Sequence, residues 1–216
     1  MINKNYLHMA LAVLVAFSTA ACESTGPSQT TSVDRVLRAT EYVNAPYKNI
    51  LVVAAVPSRE TARNIEFGIT GELNSANVEA HSFVRESSST EATEAAIQEF
   101  INEHGIDAVI VISANVTGVA ARQQSTEQVD IQVIPQGGSL VGFFRSDYKE
   151  VKRPKQAEGS DYTLDASLVS DLYDVKSDKR VYSIESSTQN GETRYQIIMA
   201  QSKAIAARLK EDGLIR

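Results

Sequence analysis

Ile50-Leu51-Val52-Val53-Ala54-Ala55-Val56 is a continuous apolar run halted by Pro57. Nothing in it alternates. A strand with one wet face carries a polar residue at every second position, so this run needs cover on both faces, as in a central parallel strand. Ala108-Val109-Ile110-Val111-Ile112 repeats the pattern. Two such strands in one chain demand helices above and below a shared sheet.

The intervening sequence supplies those helices. Ala62, Ile65, Ile69, Leu73 and Ala76 recur at spacings of three and four, which places them on one helical face. Asn77 suits a left-handed cap, and Val78 to Val84 reads as a second strand. Ser88-Ser89-Thr90-Glu91 matches a capping box, in which Ser88 and Glu91 satisfy each other's backbone donors. The helix it opens carries Ala92, Ala96, Ile97, Phe100 and Ile101, and Gly105 stops it. Strand, helix, strand, helix, strand with short connections implies right-handed crossovers and a parallel three-stranded core.

The pattern then changes. Gln128 to Ile134 alternates, with Val129, Ile131 and Val133 on one side, and Pro135-Gln136-Gly137-Gly138 is a turn. Glu150 to Ser160 reads as a loop. Leu164, Ala166, Leu168 and Leu172 alternate along another strand, and Ser177-Asp178 marks a hairpin into Arg180 to Glu185. Thr193-Arg194-Tyr195-Gln196 is a second capping-box match. Ile197, Ile198, Gln201, Ala204, Ile205 and Leu209 line a terminal helix ending at Gly213. The fold expected is therefore a three-layer α/β domain with a mixed sheet. A β-α-β-α-β parallel core comes first, then antiparallel strands and a C-terminal helix.

Ahead of this domain stands Cys22, the single cysteine of the chain. It follows the apolar stretch Met9 to Phe17 and the small residues Ser18-Thr19-Ala20-Ala21. That stretch is shorter than the roughly 20 residues a spanning helix needs, and it fits the apolar region of a secretory signal. The arrangement resembles a bacterial lipoprotein signal, in which the cysteine is acylated and becomes the first residue after cleavage. The positive region is weak, with Lys4 as its one charged side chain. Cleavage after Ala20, leaving a free thiol, and retention as an uncleaved anchor are the competing outcomes. Glu23 rather than Asp follows the cysteine, which by the same resemblance points to the outer membrane. Glu23 to Ser32 is small and polar, with Gly26-Pro27 as a breaker. Val33, Val36 and Leu37 have the spacing of one helical turn, and Ala45-Pro46 would end any helix. The expected organisation is a signal peptide over 1–21, an acylated N-terminus with a flexible tether over 22–47, and the α/β domain over 48–216. A tether of about 25 residues spans roughly 25–30 Å on average.

Composition narrows the function classes. The net charge is −6, and losing Lys4 with residues 1–21 makes it −7. Such a chain is poorly suited to nucleic acid, where Lys and Arg must neutralise phosphates. With Cys22 acylated no disulfide can form, so the core alone must hold the fold.

Lys48-Asn49-Ile50-Leu51-Val52-Val53, Arg63 with Glu66-Phe67, Gly105 to Val111, Leu172-Tyr173-Asp174 and Arg180-Val181-Tyr182-Ser183 together resemble a group of uncharacterised bacterial envelope lipoproteins. The architecture is similar to that of the curli-secretion lipoprotein and of the lipoprotein activator of a peptidoglycan synthase. That resemblance implies assembly or partner contact rather than catalysis. The chain shows no obvious pore-forming hairpins, which argues against a secretion-channel role.

No catalytic signature emerges. Neither His81 nor His104 stands at a metal-ligand spacing, and both read as surface or partly satisfied histidines. No Ser lies in a Gly-x-Ser-x-Gly elbow, and Gly137, Gly138 and Gly142 read as turn glycines rather than a phosphate loop. Ligands in open α/β sheets bind beyond the carboxyl ends of the strands at a switch in strand order. Ser58 and Arg59 after the first strand, with Asn115 after the third, are the small-ligand candidates on that rule. The plainer reading is polar capping of a helix N-terminus. Lys149, Lys152, Arg153 and Lys155 form a basic cluster for anionic headgroups or an acidic partner, or a solvated loop. Phe143, Phe144 and Tyr148 beside it suit a partner anchor or cover for the core edge. The expectation is a non-catalytic protein held in the membrane by lipid on Cys22. It lies at the outer membrane facing the periplasm and binds or assists another envelope component. No cofactor, metal or nucleic acid is implied. The alternative is a small-ligand or enzyme domain working through Ser58, Arg59 and Asn115.

Overall fold

The computed structural model describes residues 28–39, 45–89, 92–115, 119–120, 139–140 and 163–216. The two unalternating runs form adjacent parallel strands, β2 (Asn49–Ala54) and β4 (Ala108–Asn115), with Val52 opposite Ile110. The side chains of Leu51, Val52, Val53, Val109, Val111 and Ile112 are all buried. β3 (Glu79–Ser82) pairs parallel on the other side of β2. β6 (Thr163–Asp174) pairs antiparallel with β4, and β7 (Lys179–Gly191) pairs antiparallel with β6. The short β5 (Val119–Ala120) adds to β6. The sheet order is β1-β7-β6-β4-β2-β3, where β1 is Thr30–Arg38.

Four helices are described: α1 (Arg59–Ser75), α2 (Phe83–Glu86), α3 (Glu94–His104) and α4 (Arg194–Glu211). From β2 to β3 the chain steps one way across the sheet, and from β3 to β4 it steps back over β2. A right-handed crossover in each direction puts the two connecting helices on opposite faces. The core divides accordingly. Ile65, Ile69 and Leu73 of α1 join Ile205 and Leu209 of α4 against Ile50, Val52 and Ile110. Ile97, Phe100 and Ile101 of α3 pack on Leu51, Val53 and Val109 from the other side. The three-layer mixed α/β sheet read from the pattern is the architecture present.

Helix ends follow their local chemistry. Ser58, Thr93 and Thr193 each accept from the backbone N–H three residues on. Asn77, Gly105 and Gly213 take left-handed backbone conformations with φ of 60°, 62° and 72°. Asp107 accepts from the N–H groups of Lys48 and Asn49, which fixes the entry to β2.

Three expectations are corrected. The tether expected over 22–47 is not tether throughout, and its suggested helical turn is absent, because Thr30–Arg38 is a nine-residue edge strand antiparallel to β7. Ser32, Asp34, Arg35 and Leu37 of this strand are exposed, so its sequence stays largely polar, and of its apolar residues Val33 and Val36 pack on the core. The expected strand from Val78 to Val84 stops at Ser82, and Phe83–Glu86 turns into one helical turn capped by Ser82. The capping box at Ser88 does not open α3. Thr93 does, accepting from Ala96 N–H at 3.3 Å. Cys22, the strand expected over 128–134, its turn, the loop over 150–160, the basic cluster and Phe143, Phe144 and Tyr148 lie outside the described residues.

Candidate functional site

The order β4-β2-β3 places the switch in chain direction at β2, and the carboxyl ends of β2 and β4 share one edge of the sheet. Ala55 N–H continues the pairing by donating to the Ile112 carbonyl at 2.8 Å. Ser58 and Arg59 follow at the start of α1, and Asn115 is the last residue of β4. All three sequence candidates therefore lie at the predicted edge, but at different heights. Ala54 is level with Ile112, so Asn115 stands three residues farther along β4, where its backbone pairs with Ser167. The Ser58 hydroxyl is occupied, because it accepts from Thr61 N–H at 3.3 Å. Ser58 thus performs the capping role that competed with ligand binding.

The best-developed polar group at this edge is one the sequence did not single out as a site. Glu66, on the second turn of α1, is fully buried. Its Oε1 accepts from Ala54 N–H at 2.9 Å, at the end of β2. Its Oε2 accepts from Ser82 Oγ at 2.7 Å and from Val84 N–H at 2.8 Å, where β3 runs into α2. One carboxylate thus closes the ends of two parallel strands and the first turn of a helix. Burial raises its pKa above the usual carboxylate value; the bonds from Ala54, Ser82 and Val84 oppose that rise, and nearby Glu86 adds to it. A fully buried carboxylate whose oxygens are engaged this way reaches no substrate as the structure stands. Its chemistry is that of a clasp.

A second polar chain extends outward from Ser82. Ser82 N–H donates to Glu86 Oε1 at 3.1 Å, and Glu86 Oε2 lies 2.7 Å from His81 Nδ1. Burial alone would raise the Glu86 pKa, but the bonds from His81, Ser82 and Arg85 outweigh it and hold the carboxyl below its usual range. The His81 ring sits 5.3 Å from that of His104, which stacks at 4.0 Å on Phe100. His104 Nδ1 is 3.1 Å from the Phe100 carbonyl. Both histidines are thus partly satisfied groups at the β3–α3 junction. Among the described residues no group of three or more His, Cys, Asp or Glu is arranged to hold a metal ion.

The opposite end of the domain is fastened by Tyr182 on β7, whose hydroxyl donates to Asp212 Oδ2. Arg208 grips the same carboxylate through Nε at 2.9 Å and Nη2 at 3.2 Å. Burial, then the bond to Asp212, pushes the Tyr182 hydroxyl up to about 12. A shallow depression near it is lined by Leu37, Arg38, Arg180 and Ser183 and belongs to the β1 side of the sheet, away from Ser58 and Arg59. No helix among the described residues is long and apolar enough to cross a membrane.

No family model matches the chain, and neither does any curated protein. Similar solved structures include a variant of the PelC dodecamer from Paraburkholderia phytofirmans, 9% identical with a TM-score of 0.48, covering 84% of this chain and 99% of that one. A second PelC dodecamer structure from the same organism is 10% identical with a TM-score of 0.47, covering 88% and 99%. Likenesses this distant assign the chain neither a family nor an activity.

Proposed function

We propose that this is a lipid-anchored envelope protein, acylated on Cys22 and facing the periplasm, with a non-catalytic α/β domain that binds or assists another envelope component. The observation that carries the reading is the position of Cys22, directly after an apolar run and four small residues. The carboxyl edge of the parallel strands supports the non-catalytic part, since Ser58 caps a helix and Glu66 is sealed among backbone donors.

Each chain buried in the bilayer contributes about 0.8 kcal/mol per methylene, and a single chain binds only marginally. Stable anchoring therefore rests on several acyl chains carried by Cys22. Cys22→Ala is expected to abolish palmitate labelling in cells and move the protein from the membrane pellet to the soluble fraction. A variant that still labels and still pellets contradicts the anchor. For the partner, in-cell cross-linking read by mass spectrometry is expected to return the same envelope protein in replicate cultures. Absence of any reproducible partner would count against the binding role.

The second reading is a small-ligand or enzymatic site at the carboxyl ends of β2 and β4, with Ser58, Arg59 and Asn115 as its candidate residues. It is favoured if Arg59→Ala and Asn115→Ala abolish a cellular phenotype while the protein stays folded and anchored.

A further inference from the structure

We propose that two copies of this chain pair antiparallel through the outer edges of β1, in one register centred between Asp34 and Arg35. The inference stands on the β1 ladder and does not depend on the lipid anchor. β1 ends the sheet order, so its outer edge has no strand partner among the described residues. It runs for nine residues without Pro, Gly or Lys, the usual blunting residues of an edge.

The ladder with β7 assigns each β1 side chain to a face. Thr31, Val33, Val36 and Arg38 oppose Thr188, Ser186, Ile184 and Tyr182, alternate residues of β7 on the face that packs against α1 and α4. Ser32, Arg35 and Leu37 oppose Ser187, Glu185 and Ser183 on the other face. The register slips between Val33 and Arg35, leaving Asp34 as the extra residue of a bulge. Asp34 is exposed, and Ser32 Oγ donates to its Oδ1 at 2.6 Å, which sets it on the Ser32 side. Along β1 the faces therefore read inner, outer, inner, outer, outer, inner, outer, inner from Thr31 to Arg38.

That order is the same in both directions. Two residues opposed across an antiparallel ladder must share a face. In a regular strand a pairing centred between two neighbouring residues opposes residues of opposite faces and cannot form. The bulge removes that obstacle at one place only, the Asp34–Arg35 midpoint. In this register Asp34 opposes Arg35 of the second copy, and Arg35 opposes Asp34 of the second copy. Val33 meets Val36 on the core face, and Ser32 meets Leu37 on the other. Leu37 is 44% exposed in the single chain, large for an apolar side chain. The in-chain competitor for Arg35 is Glu185 at 3.5 Å, with side chains 58% and 42% exposed. Such an open pair holds the guanidinium weakly and leaves it able to serve a second carboxylate. Bulges commonly protect an edge; this one also makes the edge self-complementary, and the two charges reject other registers.

The test uses the full chain. Its native thiol is Cys22, outside β1, so the parent protein is the control for background cross-linking. Differently tagged copies carrying Ser32→Cys and Leu37→Cys are co-expressed. Opposed positions bring the Cα atoms to about 4.5–5.5 Å, within disulfide reach. A mixed disulfide dimer is expected. Either variant paired with itself should give none, because the like thiols are then separated by roughly 17 Å along the ladder. Charge supplies the second arm. Asp34→Arg or Arg35→Asp alone turns both central pairs repulsive and should weaken dimerisation by roughly tenfold, measured by sedimentation in detergent. The exchange Asp34→Arg with Arg35→Asp restores the pairs and should recover the parent value. Circular dichroism checks that every variant is folded. Equal cross-linking in matched and mixed pairings, no mixed product from folded protein, or an exchange that fails to recover dimerisation overturns the proposal. Repeating the mixed pair in the Cys22→Ala background separates the two claims, since loss of membrane anchoring there leaves the expected dimer intact.

Discussion

Glu66→Ala is expected to lower the unfolding free energy by about 3 kcal/mol, which for a domain of this size is a fall in Tm of roughly 6–12 °C. The carboxylate receives Ala54 N–H, Ser82 Oγ and Val84 N–H, all at one buried point. Alanine strands these donors and opens a cavity beside them, and stranded buried donors cost more than the net worth of the bonds they made. Glu66→Gln keeps the shape and locates the loss. If its oxygen takes the place of Oε2, its amide meets Ala54 N–H, donor against donor. Glutamine should therefore be destabilising too, though less than alanine. The pH dependence has a definite sign. Burial sets the folded pKa of Glu66 above the usual value of 4.5. The folded state then takes up the proton first as pH falls, so this group adds stability between its folded pKa and about 4.5. Glu86 and Asp212, held low, act in the opposite sense, so the comparison is parent minus Glu66→Gln across that window. The gap should widen toward acid. Thermal melts showing an unchanged Tm for Glu66→Ala would contradict the clasp.

Gly68→Val should destabilise the domain by about 3 kcal/mol. Gly68 is buried where α1 packs against α4, and any Cβ there falls 2.6 Å from Ser202 Oγ and 3.4 Å from Ile198 Cγ2 and Met199 Sδ. Ser202 has little freedom to yield. It is fully buried, and its hydroxyl donates to the Ile198 carbonyl at 2.7 Å. The two γ-methyl groups of valine extend that conflict, so the helices must separate. Gly68→Ala should cost less, since alanine recovers about 1 kcal/mol of helix propensity. Ser202→Ala removes the clashing oxygen, so Gly68→Ala should be milder in that background. Urea titration of the four proteins measures the coupling. Strict additivity would mean that Gly68 and Ser202 do not meet.

What was legible in the sequence was whatever produces a uniform signal. Ile50 to Ala55 and Ala108 to Ile112 are buried throughout, so every position reports the same environment. Asn77, Gly105 and Gly213 mark helix ends because the left-handed backbone there admits few residue types. β1 was hidden for two reasons. It is wet on one face, and the bulge at Asp34 breaks the period of two that would have revealed it. The start of α3 was misplaced because Ser88 and Thr93 offer equivalent capping chemistry, and only packing of Ile97 and Phe100 chooses between them. Glu66 follows Ile65 on the flank of the apolar face, where a carboxylate ordinarily reaches water. Its partners Ser82 and Val84 come from another element, and no local spacing announces them. Ser58 and Arg59 follow β2 at the switch edge, and the Ser58 hydroxyl serves there as the helix cap, a role that sequence alone leaves level with ligand binding.

Intact mass spectrometry of the protein extracted from cell membranes addresses the lipid anchor most directly. The expected species starts at Cys22 and is heavier than the polypeptide by a diacylglyceryl group, with or without a third acyl chain. A polypeptide starting at Met1 or Ala21 with an unmodified thiol would contradict the proposed anchoring.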